Sequence, residues 1–329
     1  MIKAASKIAI DEASLILKSG GLVGMPTETV YGLAANALDG QAVAKIFEAK
    51  GRPSFNPLIV HVHSMGQARG LVDFSDDAEA IANAFWPGPL TLILPRKSDC
   101  EISELVSAGL PTLAVRMPSH KVALELLKAV DVPLAAPSAN RSGSLSPTSP
   151  IHVADSLGDG VDMILAAGSC DVGLESTVLD LSGNVPEILR PGAVSDKDIQ
   201  SVLGDVVSYN HLVEDAQKPK SPGMLLKHYA PDTPLRLKAI DVRDGEALLA
   251  FGSIKFMGLK SGGAVSDLPE ESYRNLSEDG DLQEAAAHLF AMLKELDIEK
   301  HDGIAVMPVP EQGLGVAIND RLQRAAASR

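Results

Sequence analysis

The 329-residue chain has no long hydrophobic run, few cysteines and few aromatic residues. No apolar stretch approaches the roughly 18 residues that span a bilayer. Residues 1–21 carry scattered charges instead of the apolar core of a signal peptide. The two cysteines, Cys100 and Cys170, lie far apart and fit neither a disulfide framework nor a zinc site. We therefore expect a protein of a reducing, cytoplasmic compartment.

Several common catalytic motifs are also missing. The sequence contains no G-x-x-x-x-G-K-[ST], no H-E-x-x-H and no G-x-S-x-G, which excludes a P-loop, a zincin and a nucleophile elbow. Gly313 and Gly315 come nearest to a dinucleotide fingerprint, but the third glycine is absent and the pair follows a loop. An enzyme with this sequence lies outside these motif classes.

Positive charge is scarce. The chain has 29 Lys and Arg residues and 43 Asp and Glu residues, which gives a formal net charge of −14. Residues 1–207 hold 15 of these cations against 24 of the anions, a net of −9. An acidic chain is a poor general binder of phosphodiester backbones, so we expect no strong direct nucleic-acid binding. A small anionic ligand needs only a few well-placed cations and stays possible.

Hydrophobic residues make up 45 % of the chain and aromatic residues only 4 %, which predicts cores built on Leu, Val, Ile and Ala. Over residues 1–207, helices alternate with apolar strands at 22–25, 57–63, 90–94, 113–117 and 178–181. This mixture predicts an α/β fold with a twisted, mostly mixed or antiparallel sheet and flanking helices. Residues 208–232 are polar and proline-rich and predict a linker or lid. Residues 233–329 restart a strand–helix alternation that is typical of a small Rossmann-like α/β domain.

Short polar clusters adjoin several predicted strands, at the kind of edge where α/β folds place ligands. Residues 27–32 (TETVYG) and 136–140 (APSAN) each follow a strand, and residues 173–177 (GLEST) lead into one. Ser and Asn in the second cluster can donate hydrogen bonds to phosphate or ribose. These clusters are equally compatible with turns or helix caps, so the residues alone leave both interpretations open.

Cations concentrate at the edges of apolar segments. Lys50 and Arg52 flank a glycine at a helix end and lead into a proline-bounded loop, which suits a polyphosphate. The helix dipole alone also favours cations at such a position. Arg116 ends an apolar strand and Arg190 lies beside a proline, so each must be paired or hold a ligand.

Seven motifs in order resemble the YrdC-type threonylcarbamoyl-AMP synthases over residues 8–205. They are TETVYG (27–32), K-x-R (50–52) with NPL (56–58), WPGPLT (86–91), AVRMP (114–118), APSAN (136–140) with the S-x-N signature, GLEST (173–177) and LRPG (189–192). The segments SPGM (221–224), KHYAP (227–231) and GLGVAINDRLQRAA (313–326) resemble the linker and accessory domain of the two-domain members. Leu225 and Leu226 depart from that linker, where a basic residue and an aromatic residue are more frequent.

The resemblance implies an enzyme that converts L-threonine, bicarbonate and ATP into L-threonylcarbamoyladenylate and pyrophosphate. This is the first step of N6-threonylcarbamoyladenosine formation in tRNAs that read ANN codons. Carried over residue by residue, the ATP-binding positions would be Lys50, Arg52, Asn56, Thr112, Ser138, Asn140, Ser146, Arg190, Ser221 and Tyr229, with Lys50 and Arg52 catalytic. The L-threonine-binding positions would be Thr29, His61, Arg116, Ala136 and Ser176. Mg²⁺ would bind through the phosphates of ATP, and a downstream tRNA threonylcarbamoyl-transferase would receive the product.

Three other interpretations are compatible with a YrdC-like fold. A carbamoyltransferase that resembles the YrdC module of hydrogenase-maturation proteins would carry acylphosphatase and zinc-finger segments, which this chain lacks. An RNA-binding module is disfavoured by the net charge of −9 over residues 1–207. A relative resembling YciO would keep the fold with a different activity, and the intact K-x-R, S-x-N and linker motifs argue against it.

Overall fold

The structure is a computed structural model that describes residues 1–204, 208–209, 229–255, 257–298 and 300–327, the pair 208–209 by its backbone alone. The chain divides into two compact units. The first unit holds residues 1–142, 147–171 and 175–225, and the second holds residues 143–146, 172–174 and 226–329. Most of the predicted linker 208–232, including Ser221, Leu225 and Leu226, lies outside the described residues.

A large mixed sheet forms the first unit. Its strands are β1 (Ile2–Ala4), β2 (Val23–Met25), β3 (Gly32–Asn36), β4 (Ile59–His61), β5 (Leu90–Pro95), β6 (Thr112–Arg116), β7 (Leu134–Ala135), β8 (Met163–Ala166), β9 (Thr177–Asp180), β10 (Glu187–Arg190) and β11 (Ser208–Tyr209). Their spatial order is β1-β8-β2-β3-β7-β4-β6-β5-β9-β10-β11. Parallel pairs such as β4 with β6 occur beside antiparallel pairs such as β5 with β6. The predicted mixed sheet is confirmed, and each predicted strand lies within two residues of an observed one.

Helices accompany this sheet. They are α1 (Lys7–Lys18), α2 (Gly40–Lys50), α3 (Met65–Leu71), α4 (Asp76–Phe85), α5 (Glu104–Ser107), α6 (Lys121–Val130), α7 (Pro150–Leu157) and α8 (Asp196–Leu203). Ser6, Asp39 and Ser149 begin α1, α2 and α7, because each side chain accepts a hydrogen bond from a backbone N–H group in the first turn. Capping by Ser6 starts α1 at Lys7, close to the chain's first strand.

Apolar side chains cover both faces of the sheet. Along β3, Leu33 and Ala35 belong to one buried cluster with residues of α2 and α4. Ala34 belongs to a second cluster with residues of α1 and α6. Because successive side chains of a strand point to opposite faces, these helices lie on opposite sides of the sheet. They fix the strands whose ends carry the predicted site residues.

The second unit contains a smaller, parallel sheet. Its strands are β12 (Leu235–Arg236), β13 (Glu246–Ala250), β14 (Tyr273–Asn275) and β15 (Gly303–Val306), in the spatial order β12-β15-β13-β14. All three neighbouring pairs are parallel, and two helices, α9 (Leu282–Leu296) and α10 (Leu314–Ala326), pack against the strands and against each other. This arrangement confirms the predicted small α/β domain. No helix within the described ranges is long and apolar enough to cross a membrane.

Candidate active site

The K-x-R turn joins the end of α2 to the loop before β4. Gly51 adopts the left-handed conformation at φ 59° and ends α2, so Lys50 and Arg52 leave the helix end in different directions. Lys50 is 3 % exposed, and its ammonium group donates to the backbone carbonyl oxygens of Ser138 and Asn140. Burial and the nearby charge of Arg52 hold the pKa of Lys50 well below its usual value. The K-x-R and S-x-N segments therefore meet in one place.

Arg52 organises the loop that follows. Its Nε donates to the carbonyl oxygen of Asn56 over 3.3 Å and its Nη2 to that of Pro57 over 3.0 Å. The side chain of Asn56 is 1 % exposed, and neither its amide nitrogen nor its oxygen has a hydrogen-bond partner among the described residues. A buried, unsatisfied amide is costly unless a ligand pairs with it. Asn56 therefore indicates a binding site for a polar group.

Thr112 begins β6 beside this loop. In the parallel pair of β4 and β6, Ile59 lies opposite Ala114, so two residues earlier Pro57 is level with Thr112. Arg116 ends the same strand, about 13 Å away at 3.3 Å per residue. A predicted ATP-binding residue, Thr112, and a predicted threonine-binding residue, Arg116, therefore lie at opposite ends of β6.

Arg116 is held by three side-chain hydrogen bonds. Nε donates to the carbonyl oxygen of Gly88 (3.2 Å), Nη1 to Oγ1 of Thr29 (2.8 Å) and Nη2 to Oε1 of Glu28 (2.6 Å). Burial alone would raise the pKa of Glu28, but the charge and hydrogen bond of Arg116 bring it below its usual value. The strand-end arginine is therefore paired within the protein, and Thr29 lies directly against it.

His61 lies next to this group, since it pairs with Arg116 across β4 and β6. Its Nδ1 lies 3.3 Å from the carbonyl oxygen of Ile59. Burial, and then the positive charge of Arg116, lower the pKa of His61 to about 3. His61 is therefore neutral near pH 7 and contacts its surroundings as a polar, uncharged ring.

Ser176 and Arg190 are in direct contact. Arg190 Nε donates to the carbonyl oxygen of Ser176 (3.0 Å) and Nη2 to its Oγ (3.1 Å), while Oγ of Ser176 also lies 2.7 Å from Oγ1 of Thr91. Gly192 packs against this segment so closely that an added Cβ atom would lie 2.3 Å from the backbone nitrogen of Thr177. A predicted ATP-binding residue and a predicted threonine-binding residue thus touch each other.

Ala136 follows β7, and its N–H group donates to the carbonyl oxygen of Ile59 on β4 over 3.0 Å. The strands β7, β4, β6, β5, β9 and β10 are consecutive neighbours in the sheet, and all of them except β5 carry or adjoin a predicted site residue. The structure therefore brings residues between His61 and Arg190 onto neighbouring strands. The order of the strands in the sheet cannot be predicted from the periodicity of the sequence.

Two predicted residues belong to the second unit. Ser146 is buried in the segment 143–146. Tyr229 has a positive φ of 63° and is buried, with its ring 5.5 Å from that of Phe290 and 5.4 Å from the guanidinium carbon of Arg321. Ser221 lies outside the described residues.

Sequence reasoning assigned no role to Glu28 or to His120. Oε2 of Glu28 and Nδ1 of His120 are both buried and have no hydrogen-bond partner within the described parts of the chain. The only sequence signal was the position of Glu28 inside the TETVYG motif. Burial lowers the pKa of His120 and the negative charge of Glu28 opposes that effect, so the imidazole at the start of α6 lies within range of the Glu28 charge.

Among the described residues, no group of three or more His, Cys, Asp or Glu side chains could hold a metal ion. The buried cations Lys50, Arg52 and Arg190 instead suit an anion such as a triphosphate.

Comparison with known families gives matches in both units. Residues 15–192 match the Sua5/YciO/YrdC family, described as "Telomere recombination". Residues 194–327 match the family described as "Threonylcarbamoyl-AMP synthase, C-terminal domain".

Full-length relatives agree with these matches. The threonylcarbamoyl-AMP synthase of Bacillus subtilis is 40 % identical over 97 % of this chain and 93 % of its own length. The crystal structure of Pyrococcus abyssi Sua5 complexed with L-threonine superposes with a TM-score of 0.87 at 36 % identity, over 100 % of this chain and 97 % of that one. Escherichia coli YciO, at 24 % identity and a TM-score of 0.54 over 60 % of this chain and 97 % of its own, shares the fold alone. This chain belongs to the Sua5/YrdC family of threonylcarbamoyl-AMP synthases.

Proposed function

We propose that this chain joins L-threonine, carbon dioxide from bicarbonate, and the AMP part of ATP into L-threonylcarbamoyladenylate, with release of pyrophosphate. The observation that supports the proposal is the contact of Arg190, a predicted ATP-binding residue, with Ser176, a predicted threonine-binding residue. Relatives of full length are named for this activity, and the Pyrococcus abyssi protein has been crystallised with L-threonine. The product would supply a separate tRNA threonylcarbamoyl-transferase in the cytoplasm.

The nucleotide would lie along the K-x-R turn, the S-x-N turn and the end of β10. Lys50 and Arg52 are buried cations on one side, and Arg190 is a buried cation on the other. Asn56 offers an amide whose donors and acceptor lack protein partners among the described residues. Ser138, Asn140 and Thr112 of the same unit would add neutral polar contacts.

L-threonine would lie at the other end of β6. Arg116 uses three of its five N–H donors within the protein, which leaves two for the substrate carboxylate. Thr29 and Ser176 offer hydroxyl groups nearby, His61 a neutral imidazole, and Ala136 its backbone. Because Arg116 is already fixed by Glu28, it would meet the carboxylate without rearranging.

The chemistry needs positioning and charge neutralisation rather than a protein nucleophile. The neutral amine of threonine attacks carbon dioxide, and an oxygen of the resulting carbamate attacks the α-phosphorus of ATP. The bond between the α-phosphorus and the bridging oxygen breaks, and pyrophosphate leaves. Lys50, Arg52 and Arg190 would neutralise the phosphate charge, and Mg²⁺ bound to ATP would supply further neutralisation. A carbamate is unstable in water, so burial of the site favours the reaction.

The product itself tests the proposal. Incubation of the protein with ¹³C-bicarbonate, ¹⁵N-threonine, ATP and Mg²⁺ should give an adenylate that carries both labels, seen by mass spectrometry, with one pyrophosphate per adenylate. The same mixture without threonine should give no such product. A carbamoyl-adenylate formed when carbamoyl phosphate replaces threonine and bicarbonate would instead favour the carbamoyltransferase alternative.

A further inference from the structure

We propose that Glu28 and His120 activate the substrate amine, with Oε2 of Glu28 holding the α-ammonium group of L-threonine and Nδ1 of His120 removing its proton. This inference rests on the proposed function, because it concerns the first chemical step of that reaction. It assigns roles to two side chains that neither the motifs nor the predicted contacts use.

Glu28 is a carboxylate with one oxygen in use. The side chain is buried at 6 % exposure, and Oε1 accepts the 2.6 Å hydrogen bond from Arg116. Oε2 is fully enclosed and accepts nothing from the described residues. An ionised carboxylate only accepts hydrogen bonds, so its free oxygen calls for a donor. Since Arg116 is expected to take the threonine carboxylate, the ammonium group of the same molecule is the donor that would come within reach.

His120 supplies the base. It occupies the N-cap position of α6 but its side chain makes no capping hydrogen bond, and its Nδ1 is buried without a partner in the described structure. Burial lowers the pKa of His120, while the negative charges of Glu28 and Asp171 oppose that effect. The described ionisable groups around it also include Arg116 on β6 and Cys170 in the loop after β8, both of which interact with Glu28. The imidazole is therefore neutral near pH 7 and able to accept a proton.

The other buried bases nearby are unsuitable. His61 has its Nδ1 next to the Ile59 carbonyl oxygen and a pKa of about 3, which makes it too weak a base. Lys50 donates to two carbonyl oxygens and lies with the K-x-R turn rather than with Arg116. Among the described bases near Glu28, His120 therefore has a ring nitrogen, Nδ1, without a hydrogen-bond partner.

Proton transfer from the substrate ammonium group to His120 comes first. The ammonium group gives one proton to Nδ1 of His120 and becomes an amine. The imidazolium returns that proton to the hydroxyl group of bicarbonate, whose carbon–oxygen bond breaks to release water and carbon dioxide. The amine nitrogen forms a bond to carbon dioxide, and its second proton passes to the imidazole and then to solvent. The carbamate that remains carries one negative charge and is the nucleophile toward ATP.

Chemical rescue separates this role from a structural one. In threonine-dependent pyrophosphate release at pH 7.5, we expect His120→Ala to be slower than the wild type by about 10²-fold or more. Added imidazole should restore part of the rate, and raising the pH toward 9 should narrow the gap, because free threonine then supplies neutral amine. Glu28→Gln should raise KM for threonine by about tenfold or more with little change in KM for ATP.

The matched control is His63→Ala. His63 also follows the end of β4, but its Nε2 faces Asp131 over 3.5 Å on the outside, and this variant should keep wild-type kinetics without any response to imidazole. If His120→Ala does not fold, as judged by loss of ATP binding, His120→Asn provides the same pH comparison. Two results would refute the role of His120 as the base. One is turnover of His120→Ala at the wild-type rate, and the other is a loss of rate that neither imidazole nor high pH reduces. A wild type without threonine-dependent pyrophosphate release would overturn the proposed function as well.

Discussion

The ammonium group of Lys50 donates a 2.5 Å hydrogen bond to the backbone carbonyl oxygen of Ser138, 88 residues later in the chain. A second bond from the same group reaches the carbonyl oxygen of Asn140. Lys50 thereby fixes the backbone of the S-x-N turn at both Ser138 and Asn140. The K-x-R and S-x-N signatures form one structural element rather than two independent binding motifs.

Lys50→Met should damage both stability and ATP binding. The change leaves two buried carbonyl oxygens without their charged donor, which costs about 2–4 kcal/mol of unfolding free energy. KM for ATP should rise by about tenfold or more, because the S-x-N turn loses its anchor and the phosphates lose a cation. Chemical denaturation and initial-rate kinetics measure the two effects.

Lys45→Met is the matched control for this change. Lys45 lies on the same helix, and its Nζ donates to the carbonyl oxygen of Gly20 over 2.6 Å, away from the site. Its loss should lower stability by about 1 kcal/mol and leave KM for ATP unchanged. Equal effects of both variants on KM for ATP would contradict the role of Lys50.

Asn56→Ala should weaken ATP binding and leave the stability of the fold nearly unchanged. Because the buried amide makes no hydrogen bond with the described residues, its removal should change the unfolding free energy by less than about 1 kcal/mol. ATP affinity should fall by about tenfold, measured by isothermal titration calorimetry. Asn36→Ala removes an amide whose Oδ1 accepts from the N–H group of Leu38 at 3.0 Å, so that variant should lose stability and keep its ATP affinity. An unstable Asn56→Ala with normal ATP binding would refute the assignment.

Acidification should destabilise the first unit through His61. Its pKa is about 3 in the folded protein and 6.5 in the unfolded chain, so below pH 6.5 the unfolded chain binds a proton that the folded protein excludes. Stability is therefore fully present above pH 6.5 and falls as the pH drops, by about 2 kcal/mol between pH 7 and pH 5. Urea unfolding at several pH values should show this slope in the wild type and a shallower one in His61→Asn. If the wild type and His61→Asn lose stability equally as the pH falls, His61 is not the cause of the acid destabilisation.

Gly192→Ala should disturb the Ser176 segment. The added Cβ atom would lie 2.3 Å from the backbone nitrogen of Thr177 and 2.7 Å from the carbonyl oxygen of Glu175, so the segment must shift. We expect KM for threonine to rise and stability to fall by about 1–3 kcal/mol. Gly183→Ala, which meets nothing within 4 Å, is the matched control and should behave like the wild type. A Gly192→Ala variant with wild-type KM for threonine would show that the position of Ser176 does not matter for binding.

The sequence predicts the elements better than the contacts between them. The strand at Thr112–Arg116 follows from a run of apolar residues, which is a local signal. The Glu28–Arg116 ion pair joins residues 88 positions apart and is set by the order of the strands, which no local pattern encodes. An arginine that ends a buried strand was expected to be paired, yet its partner could not be named. His120 was missed because a histidine at a helix start has no distinctive spacing.

Pyrophosphate release with ATP, Mg²⁺, bicarbonate and one amino acid at a time tests most directly whether these residues form one site for a triphosphate and an amino acid. We expect release with L-threonine that depends on bicarbonate, and its loss in a folded Arg52→Ala variant, because Arg52 holds the loop of Asn56 and is proposed to neutralise phosphate charge. Threonine-dependent release by Arg52→Ala at the wild-type rate, or release by the wild type that ignores both threonine and bicarbonate, would contradict the shared site.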